Sequence, residues 1–310
     1  MDNNSEFTKR VYGLIPFFYD KNKEDVDIHT GYLKLTVDGL KKAGINNIIV
    51  VNDGSGIDLN KLNLDCEMVV NENNEGKTGA VLNGIKHISL KNKEGYIIQC
   101  DYDADQNSED ARLILDEFKK DTAGNLGLVI GDRYKEAQRD PLEYRKVMLY
   151  LQQVICKKFG YNLQDTVSGL RGYTTDFSNK FLSKSKSKGF GNDTEQLVIA
   201  YLEGMDVLSV PLTYSRRRTA STSDEKLVEV MNSVLVHKEE LKERNIDDSV
   251  VKILELIKEN LEKQELNFEI DLRELGENKK ISFIKKENGM YTADFKENIA
   301  ENNELRFKFK

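Results

Sequence analysis

Residues 96–118 read YIIQCDYDADQNSEDARLILDEF and join an apolar run, a group of acids and a helical pattern. Tyr96–Cys100 predicts a buried strand, and Leu113–Phe118 places apolar residues near one face of a helix. Asp101, Asp103 and Asp105 stand where the strand ends. Carboxylates are costly there unless they meet a cation or donors, and Mg²⁺ commonly takes one or two carboxylates together with substrate phosphates. The segment therefore predicts a metal-bound diphosphate ligand, with capping of the helix as the alternative interpretation.

Strand and helix patterns alternate through the first two thirds of the chain. Asn47–Asn52, for example, contains a continuous apolar run that suits a strand covered on both faces. The predicted strands are Val11–Pro16, Asn47–Asn52, Glu67–Asn71, Tyr96–Cys100, Leu126–Ile130 and Val207–Tyr214, and the helices between them include one that ends at Ala43 and one from Thr78 to Ser89. This order predicts an α/β domain with a mostly parallel sheet.

The composition limits the classes of protein to which the chain can belong. The 310 residues suffice for two domains or for one large domain with an appendage, and the net charge of −7 argues against a general nucleic-acid-binding protein. Cys66, Cys100 and Cys156 fit no metal-ligand spacing and predict reduced, buried thiols in a cytoplasmic protein. The sequence shows neither a secretory signal nor an apolar run of about 20 residues, so we expect no transmembrane segment. Peripheral contact with the inner face of a membrane stays open.

The pattern of the sequence changes after Ser223. Two amphipathic helices rich in Lys and Glu are predicted, over Asp224–Glu243 and Asp247–Gln264. Alternating segments typical of strands follow, at Asn267–Leu272, Lys280–Lys285 and Met290–Phe295, with a hairpin turn predicted at Glu287–Gly289. We therefore expect one domain over residues 1–223, followed over residues 224–310 by a helical linker and a small β-rich appendage that could mediate homo-oligomerisation.

Two segments in the first half are candidates for nucleotide or phosphate binding. Asp53 ends the strand of VVNDGSG, and ligands in open α/β sheets bind beyond the carboxyl ends of strands. Its carboxylate could accept from a base N–H or a ribose hydroxyl, and a simple turn is the alternative. Lys77 lies in NEGKTG just before a predicted helix and is a candidate phosphate contact, although the spacing is not that of a P-loop.

Further acids and arginines follow later in the chain. Asp193 and Glu195 lie at the predicted start of the helix in GNDTEQLVIAYLEG, where the helix dipole favours acids. Capping therefore competes with a role as general base for an acceptor hydroxyl. Asp165–Tyr173 predicts a loop that shapes a sugar or phosphate pocket, and Arg216–Arg218 would suit a diphosphate leaving group.

The order of these motifs resembles that of family 2 glycosyltransferases with the GT-A fold, especially the branch similar to dolichyl-phosphate-mannose synthase. The resemblance covers about residues 10–222 and rests on VVNDGSG, NEGKTGAVLNGI, DYD, GDRY, DTVSGLRGY, NDTEQ and VPLTYSRRR. It implies a GT-A-type, Rossmann-like mixed sheet flanked by helices, with the C-terminal α+β appendage outside the resemblance.

The resemblance also implies an activity and a set of site residues. It implies a nucleotide-sugar donor, Mg²⁺ or Mn²⁺ at a D-x-D site, and displacement with inversion at the anomeric carbon. Asp101 and Asp103 would be the D-x-D pair, with Asp103 and Asp105 as the competing register. The remaining assignments are Pro16, Asp53, Lys77, Arg171 and Arg217 as donor-binding residues and Asp193, with Glu195 second, as the base.

Departures from the family pattern leave the acceptor open among a saccharide, a protein and a polyprenyl phosphate. Phe18–Asp20 replaces the common acids after the first strand, and Asn192 precedes Asp193 where many members have Glu. No Q-x-x-R-W motif is present, which argues against a processive polymer synthase. Two alternatives remain: a sugar nucleotidyltransferase, disfavoured because IPFFYDKN is not a glycine-rich loop, and a catalytically degenerate domain that binds a nucleotide sugar or a partner.

Overall fold

The computed structural model describes residues 11–91, 93–134, 143–213, 224–246, 248–265, 267–285 and 291–297. Within these residues the strands are β1 (Val11–Phe17), β2 (Asn47–Asp53), β3 (Glu67–Asn71), β4 (Tyr96–Gln99), β5 (Leu126–Asp132), β6 (Arg171–Thr174), β7 (Asp206–Pro211), β8 (Asn267–Asp271), β9 (Lys279–Lys285) and β10 (Tyr291–Glu297). The helices are α1 (Val26–Lys42), α2 (Gly76–Lys91), α3 (Ala111–Lys120), α4 (Glu143–Lys158), α5 (Thr175–Lys184), α6 (Asn192–Leu202), α7 (Asp224–Leu235), α8 (Lys238–Glu243) and α9 (Asp248–Glu262).

Seven strands form one mixed sheet in the order β3-β2-β1-β4-β6-β5-β7. Every pairing is parallel except those of β6, which runs antiparallel to both β4 and β5. The prediction of an α/β fold with a mostly parallel sheet is confirmed. The carboxyl ends of β1, β2 and β4 meet at one edge, where ligands of open α/β sheets bind.

Strand β6 was not expected, because the sequence predicted a loop over Asp165–Tyr173. Arg171–Thr174 instead pairs with Tyr96–Gln99 and with β5. The strand fits because Gly172 leaves room for helix α3: a Cβ there would lie 2.4 Å from a methyl group of Ile114. The irregular segment is therefore shorter than predicted and ends at Leu170.

Helices cover both faces of the sheet. One face packs against α1 and α3, with Leu33, Leu40 and Phe118 among the buried contacts. The other face packs against α2, α4, α5 and α6, with Ile85 and Phe181 in its core. Since both faces are buried, the strands carry the continuous apolar runs seen in the sequence.

The C-terminal residues form a helical layer and a second, smaller sheet. The prediction of one helix over Asp224–Glu243 was wrong, because α7 ends at Leu235 and α8 begins at Lys238. Strands β10, β9 and β8 form an antiparallel sheet. A single apolar cluster unites α7 and α9 with α4 and α6, for example through Leu151, Val154 and Ile257. The predicted boundary at 223 and the hairpin at 287–289 lie outside the described residues.

All three cysteines are free thiols. Cys100 and Cys156 are buried and Cys66 is half-buried. Burial raises the pKa of all three thiols, that of Cys66 to about 11 and that of Cys156 to about 12. In the part of the chain that the structure describes, none of the helices has the length and apolar character needed to span a bilayer.

Candidate active site

A cavity of about 390 Å³ opens beside the carboxyl ends of β2 and β3. Its wall is held in shape by Asn52, which donates from Nδ2 to the carbonyl of Ile57 at 2.9 Å and accepts from the Ser55 hydroxyl at 2.6 Å. Residues of both polar and apolar character line it, among them Asn52, Ser55, Asp58, Met68, Val70 and Glu72. Such a mixed wall suits a planar ring with hydrogen-bonding groups at its edge.

Asp53 lies directly behind this cavity with 1% of its surface exposed. Its Oδ1 accepts from Asn71 Nδ2 at 2.7 Å and from the backbone N–H of Glu75 at 3.0 Å. The next residue, Gly54, has a φ of +69°, and a Cβ there would lie 2.5 Å from the backbone of Asn73. The DGSG turn therefore holds the segment that leads from β3 to Lys77.

Lys77 lies between two carboxylates from different elements. Its Nζ is 2.9 Å from Asp101 Oδ1, at the end of β4, and 2.9 Å from Asp193 Oδ2, in the first turn of α6. Burial opposes the charge on Lys77, but these two acids outweigh burial, so the pKa of its ammonium is raised. The structure thus brings together three of the residues that the sequence singled out.

Asp193 is a buried carboxylate with partners on both oxygens. Its Oδ1 accepts from Asn192 Nδ2 at 2.9 Å and from Gln99 Nε2 at 3.4 Å, and Oδ2 accepts from Lys77. Burial opposes ionisation, but the charges of Arg171 and Lys77 outweigh it, so the pKa of Asp193 is lowered. The carboxylate is therefore ionised at neutral pH.

Arg171 lies beneath Asp193, with none of its surface exposed. Its guanidinium donates to the carbonyl of Asp193 at 2.9 Å, to the carbonyl of Ser168 at 2.7 Å and to Gln196 Oε1 at 3.1 Å. Nη2 also lies 3.6 Å from Asp193 Oδ1. The structure thus places this predicted donor-binding residue under the site, where it supports the first turn of α6.

Two glutamines also support the first turn of α6. Neither was predicted from the sequence as a site residue. Gln99 and Gln196 are fully buried, and Gln196 Nε2 donates to Gln99 Oε1 at 3.2 Å. A signal was present, because Gln99 is an amide inside the apolar run of β4, and buried polar groups need partners.

The acidic segment after β4 divides into two parts. Asp101 Oδ1 lies 2.9 Å from Lys77 Nζ, whereas Asp105 lies 3.5 Å from Arg133 Nη1. Asp103 Oδ1 accepts from the backbone N–H of Asp105 at 3.1 Å. Across the described residues, no set of three or more His, Cys, Asp or Glu side chains is arranged to hold a metal. A pair of carboxylates, completed by substrate phosphates, is the arrangement that this segment can offer.

Asp101 is seated against the backbone of Gly169. A Cβ at that position would lie 2.0 Å from Asp101 Oδ2, so any side chain there would displace the carboxylate. The side chain of Asp101 is 30% exposed, which leaves it accessible to a ligand. The ammonium of Lys77 beside it shows that a cation is favoured at this position. These observations fit Asp101 as one ligand of a divalent ion.

Arg133 and Asp165 form a buried, bidentate ion pair behind the acidic segment. Arg133 Nε lies 2.6 Å from Asp165 Oδ2, and Nη2 donates to Oδ1 at 3.0 Å. Arg133 is 4% exposed and Asp165 is fully buried. Because Arg133 also faces Asp105, the pair connects the loop before β6 to the acidic segment.

Glu195 faces away from Lys77 and Asp101. It is fully buried, and its carboxylate accepts from the backbone N–H groups of Lys186 and Ser187 at 2.7 and 3.0 Å and pairs with His237 Nε2 at 2.9 Å. Residues two apart on a helix point in nearly opposite directions, so Asp193 and Glu195 cannot face one ligand. Burial opposes ionisation, but the hydrogen bonds from His237 and two serines lower the pKa of Glu195.

This lowered pKa predicts a pH dependence of stability. A carboxylate with a depressed folded-state pKa stabilises the fold above its ordinary value of 4.5, and the stabilisation is lost as the pH falls through the lower value. The difference in unfolding free energy between the wild type and Glu195→Gln should therefore be constant above pH 4.5 and shrink in acid. Urea unfolding over a pH series measures it, and a constant difference throughout would contradict the ionised assignment.

Two predicted donor-binding residues remain. Pro16 is buried in β1, opposite Val51 of β2. Arg217 and the rest of the arginine cluster Arg216–Arg218 lie outside the described residues.

Sequence comparison places the chain among known proteins. A family model described as "Glycosyl transferase family 2" matches residues 30–181. An uncharacterised protein of Methanocaldococcus jannaschii is 28% identical over 182 residues, which cover 57% of this chain and 73% of that protein. The UDP-N-acetylglucosamine–dolichyl-phosphate N-acetylglucosaminyltransferase of Methanococcus voltae is 23% identical over 226 residues, which cover 66% of this chain and 85% of that protein.

Solved structures share the architecture at low sequence identity. Mannosyl-3-phosphoglycerate synthase from Rubrobacter xylanophilus superimposes with a TM-score of 0.54 at 12% identity, over 94% of this chain and 90% of that one. Glucosyl-3-phosphoglycerate synthase from Mycobacterium tuberculosis, in complex with UDP, gives 0.53 at 15% identity, over 73% and 79%. These likenesses show the fold, which is the GT-A fold. The match over residues 30–181, about half of the chain, identifies this part as a glycosyltransferase domain of family 2.

Proposed function

We propose that the protein transfers a sugar, with inversion at the anomeric carbon, from a UDP- or GDP-sugar to an acceptor. The observation that carries this proposal is the Lys77–Asp101–Asp193 cluster. It joins one cation and two acids at the end of the sheet where a donor diphosphate and an acceptor would meet. Asp101 comes from the end of β4 and Asp193 from the start of α6, so the cluster has acids on two sides of one reaction centre.

The cavity beside β2 and β3 is the proposed site for the nucleotide base. Its wall carries the amide of Asn52 and the carboxylates of Asp58 and Glu72, which can accept from base or ribose donors. Asp53 supports this wall from behind through Asn71 and the segment before Lys77. The diphosphate would then extend towards Lys77 and Asp101. Arg217, in the arginine cluster Arg216–Arg218, is proposed as a further phosphate contact.

Asp101 and Asp103 are proposed to hold Mg²⁺ or Mn²⁺ together with the donor phosphates. A solved structure of glucosyl-3-phosphoglycerate synthase from M. tuberculosis contains Mn²⁺, UDP-glucose and glycerol 3-phosphate, which supports a divalent ion in this fold. When bound, the ion would neutralise charge on the departing diphosphate. Asp105 is excluded from the proposed set because it faces Arg133.

Asp193 is proposed to act at the acceptor. Arg171, Gln99 and Asn192 fix its position and keep it ionised, so it can take a proton from an acceptor hydroxyl. Glu195 is left out of this role because its carboxylate is enclosed by Lys186, Ser187 and His237.

A phosphate acceptor, such as a polyprenyl phosphate, is favoured by the surroundings of Asp193. The lowered pKa keeps this carboxylate ionised, but it also makes the group a weaker base. An acceptor phosphate is already ionised and needs no proton removed. The relative in Methanococcus voltae is named for transfer to dolichyl phosphate, which points in the same direction.

The proposal is tested by measuring sugar transfer and donor hydrolysis with UDP- and GDP-sugars, in Mn²⁺ and in EDTA. We expect turnover with one nucleotide only, lost in EDTA and in Asp103→Ala. Turnover in EDTA at the full rate, unchanged by Asp103→Ala, would contradict the metal role. Absence of any binding of Mn²⁺ with UDP or GDP by calorimetry would contradict the function itself.

Gly169→Ala should weaken metal and nucleotide binding together. The added methyl group would displace the Asp101 carboxylate, and disturbing the shell around a metal ligand typically costs about 10- to 100-fold in metal affinity. Calorimetric titration with Mn²⁺ and UDP or GDP measures the change. Gly31→Ala is the matched control, because nothing lies within 4 Å of a Cβ at Gly31. Equal affinities of the two variants would show that Asp101 is not a ligand.

A further inference from the structure

The loop over residues 185–191 connects α5 to α6 and leads directly into Asn192 and Asp193. Helices from the C-terminal part of the chain contact this loop from one side. His237, at the junction of α7 and α8, is 1% exposed and pairs through Nε2 with Glu195 Oε1 at 2.9 Å. The same carboxylate oxygen accepts from the backbone N–H groups of Lys186 and Ser187. His237 is therefore joined through one buried acid to the loop.

Helix α7 makes a second, independent contact. Glu229 Oε2 accepts from the backbone N–H of Phe190 at 2.9 Å. Gly189 has a φ of +57°, and a Cβ there would lie 2.3 Å from Glu229 Oε1. A Cβ at Gly191 would lie 2.9 Å from that of Ser233. The loop thus lies against α7 at a distance that only glycine allows.

On its other side the same loop contacts the start of α2. Thr78 Oγ1 donates to the carbonyl of Gly189 at 2.9 Å, and a Cβ at Gly76 would lie 3.1 Å from Gly189 Cα. Lys77 stands between these two residues. The loop therefore separates the C-terminal helices from the element that carries Lys77, and it precedes the element that carries Asp193.

We propose that His237 and Glu229 are positioning residues of the transfer reaction, which hold loop 185–191 so that Asp193 and Lys77 stay aligned. The C-terminal helices then complete the active site, beyond any role in oligomerisation. The inference rests on the proposed role of Asp193. The proposed positioning depends on two contacts, which come from different parts of the C-terminal helices. Each contact can therefore be removed separately.

The test uses the full chain with the nucleotide sugar that the donor screen identifies. His237→Phe removes the donor to Glu195 but keeps a ring, and His237→Gln restores an N–H near the position of Nε2. We expect His237→Phe to lower kcat about 10- to 100-fold with an unchanged KM for the donor, because small misplacements of reacting groups have effects of this size. His237→Gln should recover most of the loss. Glu229→Leu, which leaves the Phe190 N–H without its acceptor, should lower kcat in the same way.

Tyr150→Phe is the matched control. Tyr150 donates to Glu277 at 2.7 Å and joins α4 to the C-terminal part. Its loss should lower thermal stability and leave kcat unchanged. Full kcat in both His237→Phe and Glu229→Leu, or equal losses in Tyr150→Phe, would overturn the proposal.

Amide hydrogen exchange separates this inference from the proposed function. In His237→Phe the amides of residues 186–190 should exchange faster while those of β1 and β5 keep their protection, and His237→Gln should restore the slow exchange. If the wild type transfers no sugar, the proposed function is wrong. Amide hydrogen exchange still shows whether the contacts of His237 and Glu229 hold loop 185–191 in place. Unchanged exchange in His237→Phe and Glu229→Leu would overturn the inference by itself.

Discussion

Asp193→Asn should reduce transfer to a hydroxyl acceptor by about 10²- to 10⁴-fold, the usual contribution of a positioned general base. Asparagine has the same shape and can still accept from Asn192 and Gln99, so the first turn of α6 should keep its position. Transfer to a phosphate acceptor should fall much less, because no proton is removed there. The ratio of the two losses therefore identifies the acceptor class.

The measurement compares kcat of the wild type and the variant with a soluble saccharide and with a short-chain polyprenyl phosphate. Asp176→Asn is the control, since this acid is exposed on α5 and pairs only with Lys180 among the contacts seen here. Calorimetry with Mn²⁺ and the nucleotide checks that donor binding survives. Transfer to a hydroxyl acceptor at the wild-type rate would exclude Asp193 as the base.

Arg133→Met should lower the free energy of unfolding by about 3–5 kcal/mol, because it leaves Asp165 charged and buried without its partner. The burial of Arg133 opposes its charge, but Asp165 outweighs burial and raises the pKa of the guanidinium, so Arg133 stays charged.

Urea unfolding of a double-mutant cycle measures the pair. Arg133→Met combined with Asp165→Asn should be more stable than Arg133→Met alone, because the neutral amide relieves the buried charge. Asp116→Asn serves as the control: it breaks an exposed pair with Lys119 and should change stability by less than about 1 kcal/mol. Equal effects of Arg133→Met and Asp116→Asn would show that the buried pair is not important for stability.

Much of the fold follows from local sequence. The strands β1 to β5 and β7 were predicted to within about three residues, because their apolar runs are long and bounded by turn residues. Strand β6 was not predicted because it has only four residues and begins with an arginine. The burial of this arginine depends on partners from loop 165–170 and α6. The strand forms because of contacts between segments that are distant in sequence, and no local sequence pattern indicates such contacts.

The site was predictable to a similar degree. The sequence placed Lys77, Asp101 and Asp193 at element ends, and the structure joins them. It ranked Asp193 above Glu195 as the base but kept both as candidates, although a two-residue helical spacing already separates their directions. His237 could not be found from sequence, because its position between α7 and α8 gains meaning only once the C-terminal helices pack against α6.

The shielded thiols of Cys66, Cys100 and Cys156 have a practical consequence. Alkylating reagents react with thiolates, and raised pKa values keep these sulfurs protonated at neutral pH. A cysteine introduced at an exposed position such as Lys61 should therefore accept a maleimide fluorophore selectively, with the three native cysteines left in place. Such a label, beside the cavity, would test by fluorescence whether the cavity binds a nucleotide.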